Sequence, residues 1–370
     1  MTTTPTPSTG AQPDGVSAVR IAGAALLAVG ISGLVIGVGI GIRTTAVQGP
    51  SWKGGMGLIA LGVGFVMSWA GVSRVTHGLR APVRLGVSVL LVLGAALSVW
   101  TLAPGVIATN VPPTPTGLSP EDYGMSVEDV VFATTDGVEI AAWYVPSRSG
   151  LAVVLRHGAG TNASSVLPHA QVLARNGYGV LITDARGHGR SGGVAMDFGW
   201  YGNLDIAAAL SYLRTRPDVD PTGVAVVGMS MGGEEAIGAF GADPRVAAVV
   251  AEGATARTDA DKSWLSDVYG IRGWIQQRLE WVQYTFTDLL TPASKPESLA
   301  SSASRAAPRP LLLIAGGETP DEMNAASHIQ RGGNVAVWVV PGAGHVAGIE
   351  TAPDEWEQRV IGFLDAALTG

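Results

Sequence analysis

Hydrophobic positions are laid out along this chain in two different ways. From Ile21 to Ile42, 22 consecutive residues carry no charge, and two further uncharged runs follow, Gly54 to Ser73 and Leu85 to about Thr109. Each run is long enough for a helix to cross the ~30 Å hydrocarbon core of a bilayer. None has the polar face that a helix of a water-soluble bundle keeps. The first is also too long for the apolar region of a cleaved signal peptide, and two more runs follow it. The pattern predicts three membrane-spanning helices over 20–109. Gly33, Gly37, Gly39 and Gly41 would weaken a soluble helix but suit close helix contacts in lipid.

The flanking segments differ. Residues 1–19 are rich in Thr, Pro, Ser and Gly without apolar periodicity and read as a disordered tail. Residues 110–126 are proline-rich and read as a semi-rigid linker. From 127 onward, short apolar runs alternate with helical patterns. Val130–Thr134 and Val138–Val145, joined by Thr135-Asp-Gly137, predict a β-hairpin. Strands are expected at Leu151–Arg156, Gly179–Thr183, Val224–Gly228, Val246–Ala251, Leu311–Ala315 and Val335–Val340. Helices are expected near Ser164–Asn176, Tyr201–Arg214, Met231–Phe240, Asp321–Arg331 and Pro353–Leu368. This alternation predicts an α/β domain, a mostly parallel eight-stranded sheet with helices on both faces.

The connection over about 254–306 is far longer than an ordinary link between such elements. It carries Trp264, Tyr269, Trp274, Trp281, Tyr284 and Phe286. Trp274, Ile275, Leu279, Val282, Phe286 and Leu289 keep helical spacing. The insert is expected to be a helical cap, its stripe either packing on the core or lining an apolar substrate pocket.

Charge sharpens the division. Residues 1–109 hold one acid and six bases, whereas 110–370 hold 29 acids and 17 bases. The acidic second part argues against a nucleic-acid partner. Arg20 lies before the first run and Arg74, Arg80 and Arg84 lie between the second and third, whereas Arg43 and Lys53 lie between the first and second. The positive-inside rule then places the part after the third span outside the cytoplasm. With no cysteine, disulfides, thiolate nucleophiles and Cys-ligated metals are excluded.

The candidate chemistry centres on Gly228-Met-Ser-Met-Gly232, where a β-branched run meets a helical pattern. This is a strand–turn–helix context that lifts a serine clear of a sheet, with Ser230 at the apex. A second G-x-S-x-G, Gly189-Arg-Ser-Gly-Gly193, lies in a Gly/Arg loop, so Ser191 reads as a turn residue. A serine needs a base. His345 lies just past the last strand, on the sheet edge that also carries Ser230. His169 and His328 fall in helical patterns and read as surface residues, and His157 and His188 sit in glycine-rich turns. No H-E-x-x-H pattern argues for a metal and no P-loop for a nucleotide, so no cofactor is expected.

Taken together, His157-Gly158, Asp184-Ala-Arg-Gly-His-Gly-Arg-Ser-Gly192, Gly228-Met-Ser-Met-Gly232 and Gly344-His345 make residues 127–370 resemble an α/β-hydrolase domain. Thr135-Asp-Gly-Val-Glu-Ile-Ala-Ala-Trp-Tyr-Val-Pro146 resembles the bacterial serine-aminopeptidase-like or dienelactone-hydrolase-like branch. The resemblance implies Ser230 as nucleophile, His345 as general base, and the N–H groups of Met231 and Ala159 as oxyanion hole. It implies that His157 builds a turn and that Asp184, Arg186 and His188 bond their own loop. The family's Gly-x-x-Asp after the seventh strand is replaced by Gly316-Gly-Glu-Thr-Pro-Asp321, which favours Glu318 as the acid over Asp321, with Glu252 a third candidate. The expected protein is a three-span, membrane-anchored serine hydrolase acting outside the cytoplasm through an acyl-enzyme, on an uncharged, lipophilic ester of short to medium chain. A peptidase or amidase of the same fold, or a non-catalytic scaffold binding a ligand at the membrane, are the alternatives. Oligomeric state is left open.

Overall fold

The computed structural model of the protein describes residues 15–115, 117–330 and 334–369. They fall in two units, Met1–Val106 and Ile107–Gly370. Most of the expected disordered tail lies outside the described residues, but 15–19 are already helical.

In the first unit, helix α1 (Gly15–Ile36) runs through a π-helical turn (Gly37–Ile42) into α2 (Arg43–Gln48), followed by α3 (Trp52–Val75) and α4 (Ala81–Thr109). Three helical stretches, Ser17–Gln48, Trp52–Val75 and Ala81–Thr109, are long and apolar enough to cross a membrane. The start of α3 is capped by Ser51, whose Oγ accepts from Gly54 N–H at 3.2 Å. Helices α1 and α3 run antiparallel with their backbones touching. A Cβ placed on Gly64 would lie 2.6 Å from Leu34 N and 2.7 Å from Gly30 O, and one on Gly71 2.6 Å from Leu27 N. One on Gly57 would lie 2.4 Å from Gly41 N. Glycines 23, 30 and 37 on one helix and 57, 64 and 71 on the other repeat every 7 residues, about two helical turns, so each set stays on one face.

The second unit carries eight strands: β1 (Glu128–Ala133), β2 (Glu139–Val145), β3 (Ala152–Arg156), β4 (Gly179–Thr183), β5 (Val224–Met229), β6 (Ala248–Glu252), β7 (Leu311–Gly316) and β8 (Val335–Val340). Their order is β1-β2-β4-β3-β5-β6-β7-β8. β2 is antiparallel to both β1 and β4, and the other pairs are parallel. Strands β3 to β7 are buried along their whole length, which is why they read as continuous apolar runs.

One face is covered by α6 (Gly202–Leu213), α7 (Met231–Ala242) and α9 (Leu299–Ala306), packed through Ile206, Leu210, Phe240 and Leu299. The other is covered by α5 (Leu167–Arg175) and α11 (Pro353–Leu368), through Leu167, Leu173, Trp356 and Leu364. His169 belongs to this buried face and is not a surface residue. Its ring packs edge-on to Trp356 at 5.1 Å, and burial lowers its pKa to about 4.

One expectation changes, and the linker is tied to its own unit by side-chain hydrogen bonds. Thr114 Oγ1 donates to Gly160 O (2.9 Å), Asn162 Nδ2 to Pro115 O (2.9 Å) and Gln171 Nε2 to Tyr123 O (2.8 Å). The cap contains helix α8 (Leu265–Asp288), kinked at Gly270 (φ 58°). It buries Gly273, Tyr284 and Thr287, and Tyr284 packs on Phe198 at 5.0 Å. The stripe expected to face inward therefore looks outward. Trp274, Ile275, Val282 and Leu289 are exposed, and Leu279 and Phe286 only half-buried.

Candidate active site

Ser230 stands between β5 and α7 with φ 53° and ψ −120°, a backbone region that non-glycine residues rarely occupy. The turn is held by Ser230 N–H donating to Glu252 O at 2.7 Å. Its flanking glycines are required by close approach. A Cβ on Gly228 would lie 2.1 Å from Gly232 O, and one on Gly232 2.6 Å from both Arg156 O and His157 O.

The loop after β8 brings His345 to the serine, with Nε2 2.9 Å from Ser230 Oγ. Its Nδ1 lies 2.5 Å from Glu322 Oε1. Glu322 sits in the first turn of α10 (Pro320–Ile329) and is 3% exposed. Its other oxygen accepts from Gly316 N–H at 2.9 Å, so both ends of the carboxylate are fixed. The hydrogen bond to Glu322 raises the His345 pKa above the ordinary imidazole value. Gly253 (φ 69°) leaves room for the ring, since a Cβ there would lie 2.9 Å from His345 Cε1.

The carboxylate that meets His345 is therefore that of Glu322, not of Glu318 or Asp321. Glu318 is exposed, and its backbone N–H is tied to Ala343 O at 3.0 Å. Asp321 is exposed and accepts from Tyr269 Oη at 2.8 Å. Glu252 is engaged elsewhere, accepting from Gly348 N–H (2.8 Å) and Trp356 Nε1 (2.9 Å), and burial raises its pKa. One sequence signal marks Glu322. It occupies the first position of the stripe Glu322, Ala325, Ala326, Ile329, which is the buried face of α10. A carboxylate on an apolar face calls for a partner.

Met231 opens α7, so its N–H is one of the helix-start donors with no acceptor inside the helix. Ala159 follows Gly158, where a Cβ would lie 3.3 Å from Ser230 Cβ. Met231 thus adjoins the serine in sequence, and Gly158, the neighbour of Ala159, adjoins it in space. His157 is buried, accepts from Ala185 N–H at Nε2 (2.9 Å) and faces Gly158 O with Nδ1 (2.8 Å). Burial holds its pKa well below the ordinary value. Ser191 Oγ donates to Asp184 O (2.7 Å) and accepts from Ala141 N–H (2.9 Å), so it is a loop residue. His188 Nε2 lies 3.0 Å from Asp197 Oδ1.

Beneath the elbow lies a buried ionic cluster that the sequence reading missed. Arg156, the last residue of β3, donates to Glu235 of α7 through Nε (2.9 Å) and Nη2 (2.6 Å). Asp205 of α6 lies 3.6 Å from Arg156 and 3.0 Å from Arg186. These charges tie β3, α6 and α7 together directly behind Ser230. Among the described residues, no group of three or more His, Cys, Asp or Glu side chains is placed to hold a metal.

A family profile described as serine aminopeptidase, S33 matches residues 148–308. That segment holds Ala159, Ser230 and Met231 and ends before Glu322 and His345. Among curated proteins, the uncharacterized protein YfhR of Escherichia coli O157:H7 is 30% identical over 126 residues, 32% of this chain and 44% of that one. Thiohydrolase aneE of Aspergillus aculeatus is 32% identical over 126 residues, 33% of this chain and 40% of that one. The chain thus spans less than half the length of either relative. Among solved structures, the esterase Pf2001 of Pyrococcus furiosus superposes with a TM-score of 0.57 at 24% identity, over 70% of this chain and 98% of that one. The fold is that of an α/β-hydrolase, and these matches to hydrolases agree with it.

Proposed function

We propose that this protein is a membrane-embedded serine hydrolase that cleaves a carboxylic ester or related acyl bond. The observation that carries the reading is the relay from Ser230 Oγ through His345 (2.9 Å) to buried Glu322 (2.5 Å), set at a strained strand-to-helix turn. In this reading His345 Nε2 takes the Ser230 proton as Oγ attacks the acyl carbon. Glu322 orients the ring and stabilises the imidazolium. The N–H groups of Met231 and Ala159 meet the charge developing on the carbonyl oxygen, where loss of one donor costs roughly a hundredfold or more. Collapse expels the alcohol, which leaves with the proton from His345. Water, activated by the same ring, then hydrolyses the acyl-enzyme and restores Ser230.

The three apolar helices support embedding in a bilayer, and the arginines near one end of the first unit support a second unit outside the cytoplasm. Amide cleavage is the second reading, favoured by the description of the matching family profile.

The test is fluorophosphonate labelling of the full chain in detergent, with Ser230→Ala as control, followed by turnover of p-nitrophenyl esters of increasing chain length and of amino-acid p-nitroanilides. Labelling that needs Ser230, with ester turnover, is expected. Labelling that survives Ser230→Ala, or never occurs, removes the enzyme reading. Turnover of anilides alone moves the assignment to a peptidase.

A further inference from the structure

A groove of about 400 Å³ lies in the first unit between the α1–α3 pair and α4. Its walls are mostly apolar, among them Phe65, Trp69, Val72, Val92 and Val99, and Arg84 stands in its lining. Along α3 it runs from Thr76 to Phe65, a rise of ~16 Å at 1.5 Å per residue. One leaflet of a bilayer has a hydrocarbon depth of ~15 Å, half of the ~30 Å core. The groove therefore matches a single leaflet.

Arginines gather at the Thr76 end. Arg84 N–H donates to Arg80 O at 2.8 Å on the first turn of α4. Arg20 of α1 reaches the carbonyl of His77 at 3.5 Å, and a Cβ on Gly23 would lie 2.8 Å from Arg74 Cβ. All four arginines are exposed, and no Asp or Glu occurs between residues 15 and 106 to neutralise them. The end of the groove is thus cationic and its walls are mostly apolar, with the hydroxyl side chains of Ser68, Ser73 and Ser88 among them.

We propose that this groove is a site for an anionic glycerophospholipid. The phosphate sits among Arg84, Arg80 and Arg20, and one acyl chain lies along Val72, Trp69 and Phe65 toward the middle of the bilayer. A zwitterionic lipid would fill the groove equally well but would leave the arginines unneutralised. A soluble phosphate would satisfy the arginines and leave the walls empty. The inference rests on the proposed embedding of the first unit and is independent of the hydrolase reading.

The test is native mass spectrometry of the detergent-purified full chain, titrated with palmitoyl-oleoyl phosphatidylglycerol or with the matching phosphatidylcholine. The glycerol lipid is expected to bind about tenfold more tightly or better, since each arginine near the surface contributes a factor of about five. Arg84→Gln should remove about fivefold of that preference, Arg84→Lys should keep most of it, and neither should change the choline lipid. Ala95→Trp, which fills the groove, should weaken both lipids. Glycerol 3-phosphate should not displace the bound lipid. Equal affinity for the two lipids, unchanged binding in Ala95→Trp, or displacement by glycerol 3-phosphate would each overturn the site. Helicity by circular dichroism checks that each variant folds. Recovery of the protein in the aqueous phase without detergent would instead overturn the embedding.

Discussion

Glu322 Oε1 meets His345 Nδ1 at 2.5 Å from within helix α10, four residues beyond the acid that the loop after β7 offers first. The backbone N–H of Gly316, the last residue of β7, holds the second oxygen of the same carboxylate. Glu322 is therefore fixed by a strand end as well as by its helix, and the ring of His345 is oriented from a rigid element.

Glu322→Gln is expected to lower kcat by a factor on the order of a thousand or more with little change in KM, because the interaction strengthens mainly as the imidazolium forms. Glu318→Gln and Asp321→Asn are expected to stay within a few-fold of wild type. Steady-state kinetics on p-nitrophenyl butyrate decide. A large kcat loss in either of the latter, with Glu322→Gln near normal, would reassign the acid.

Activity and local stability are expected to follow opposite pH trends. His345 must be neutral to accept a proton, and its pKa lies above 6.5 because of the hydrogen bond to Glu322. kcat/KM should therefore rise with pH through a limb placed above the ordinary imidazole value of about 6.5, and Glu322→Gln should move that limb down. A raised histidine pKa contributes stability that is fully present below the unfolded-state value of about 6.5 and is lost as pH rises through the folded value. The pair thus stabilises the fold most where the enzyme is inactive. A limb at or below the ordinary value in wild type would contradict the geometry.

Gly64→Val should separate α1 from α3, since the added Cβ would meet Leu34 N at 2.6 Å and Gly30 O at 2.7 Å. Gly62→Val is the matched control, because a Cβ there meets nothing within 4 Å. Thermal unfolding in detergent should fall sharply for the first and little for the second. Equal behaviour of the two would mean that the helix contact contributes little.

A topology reporter fused after Gly370 should be active only outside the cytoplasm. Arg20, Arg74, Arg80 and Arg84 oppose Arg43 and Lys53, a margin of four bases to two. Activity of a cytoplasm-only reporter would invert the orientation.

Much of this architecture is legible from local pattern. Buried strands β3 to β7 announce themselves as β-branched runs, and Ser230 and His345 follow from their places at strand ends. The carboxylate that meets His345 is obscured because the loop after β7 folds back, tying Glu318 N–H to Ala343 O and leaving that side chain in water. Three other features depend on partners remote in sequence. The linker is held by Asn162 and Gln171, roughly 47 and 48 residues away from the carbonyls they bind. His169 is buried by Trp356, and Arg156 at a strand end is neutralised by Glu235 from α7. A helical stripe specifies that a face is apolar but not which way it turns. In α8 the kink at Gly270 and the burial of Gly273 and Tyr284 decide that instead.

The outward stripe of α8 has a colloidal consequence. A fragment shortened to remove the three apolar helices would still show water Ile271 (80% exposed), Trp274 (50%) and Trp281 (53%) along one helix. Apolar patches of this kind promote self-association. Turnover measured on such a fragment would then vary with its own concentration, and the monomer's rate constants would emerge only on extrapolation to high dilution.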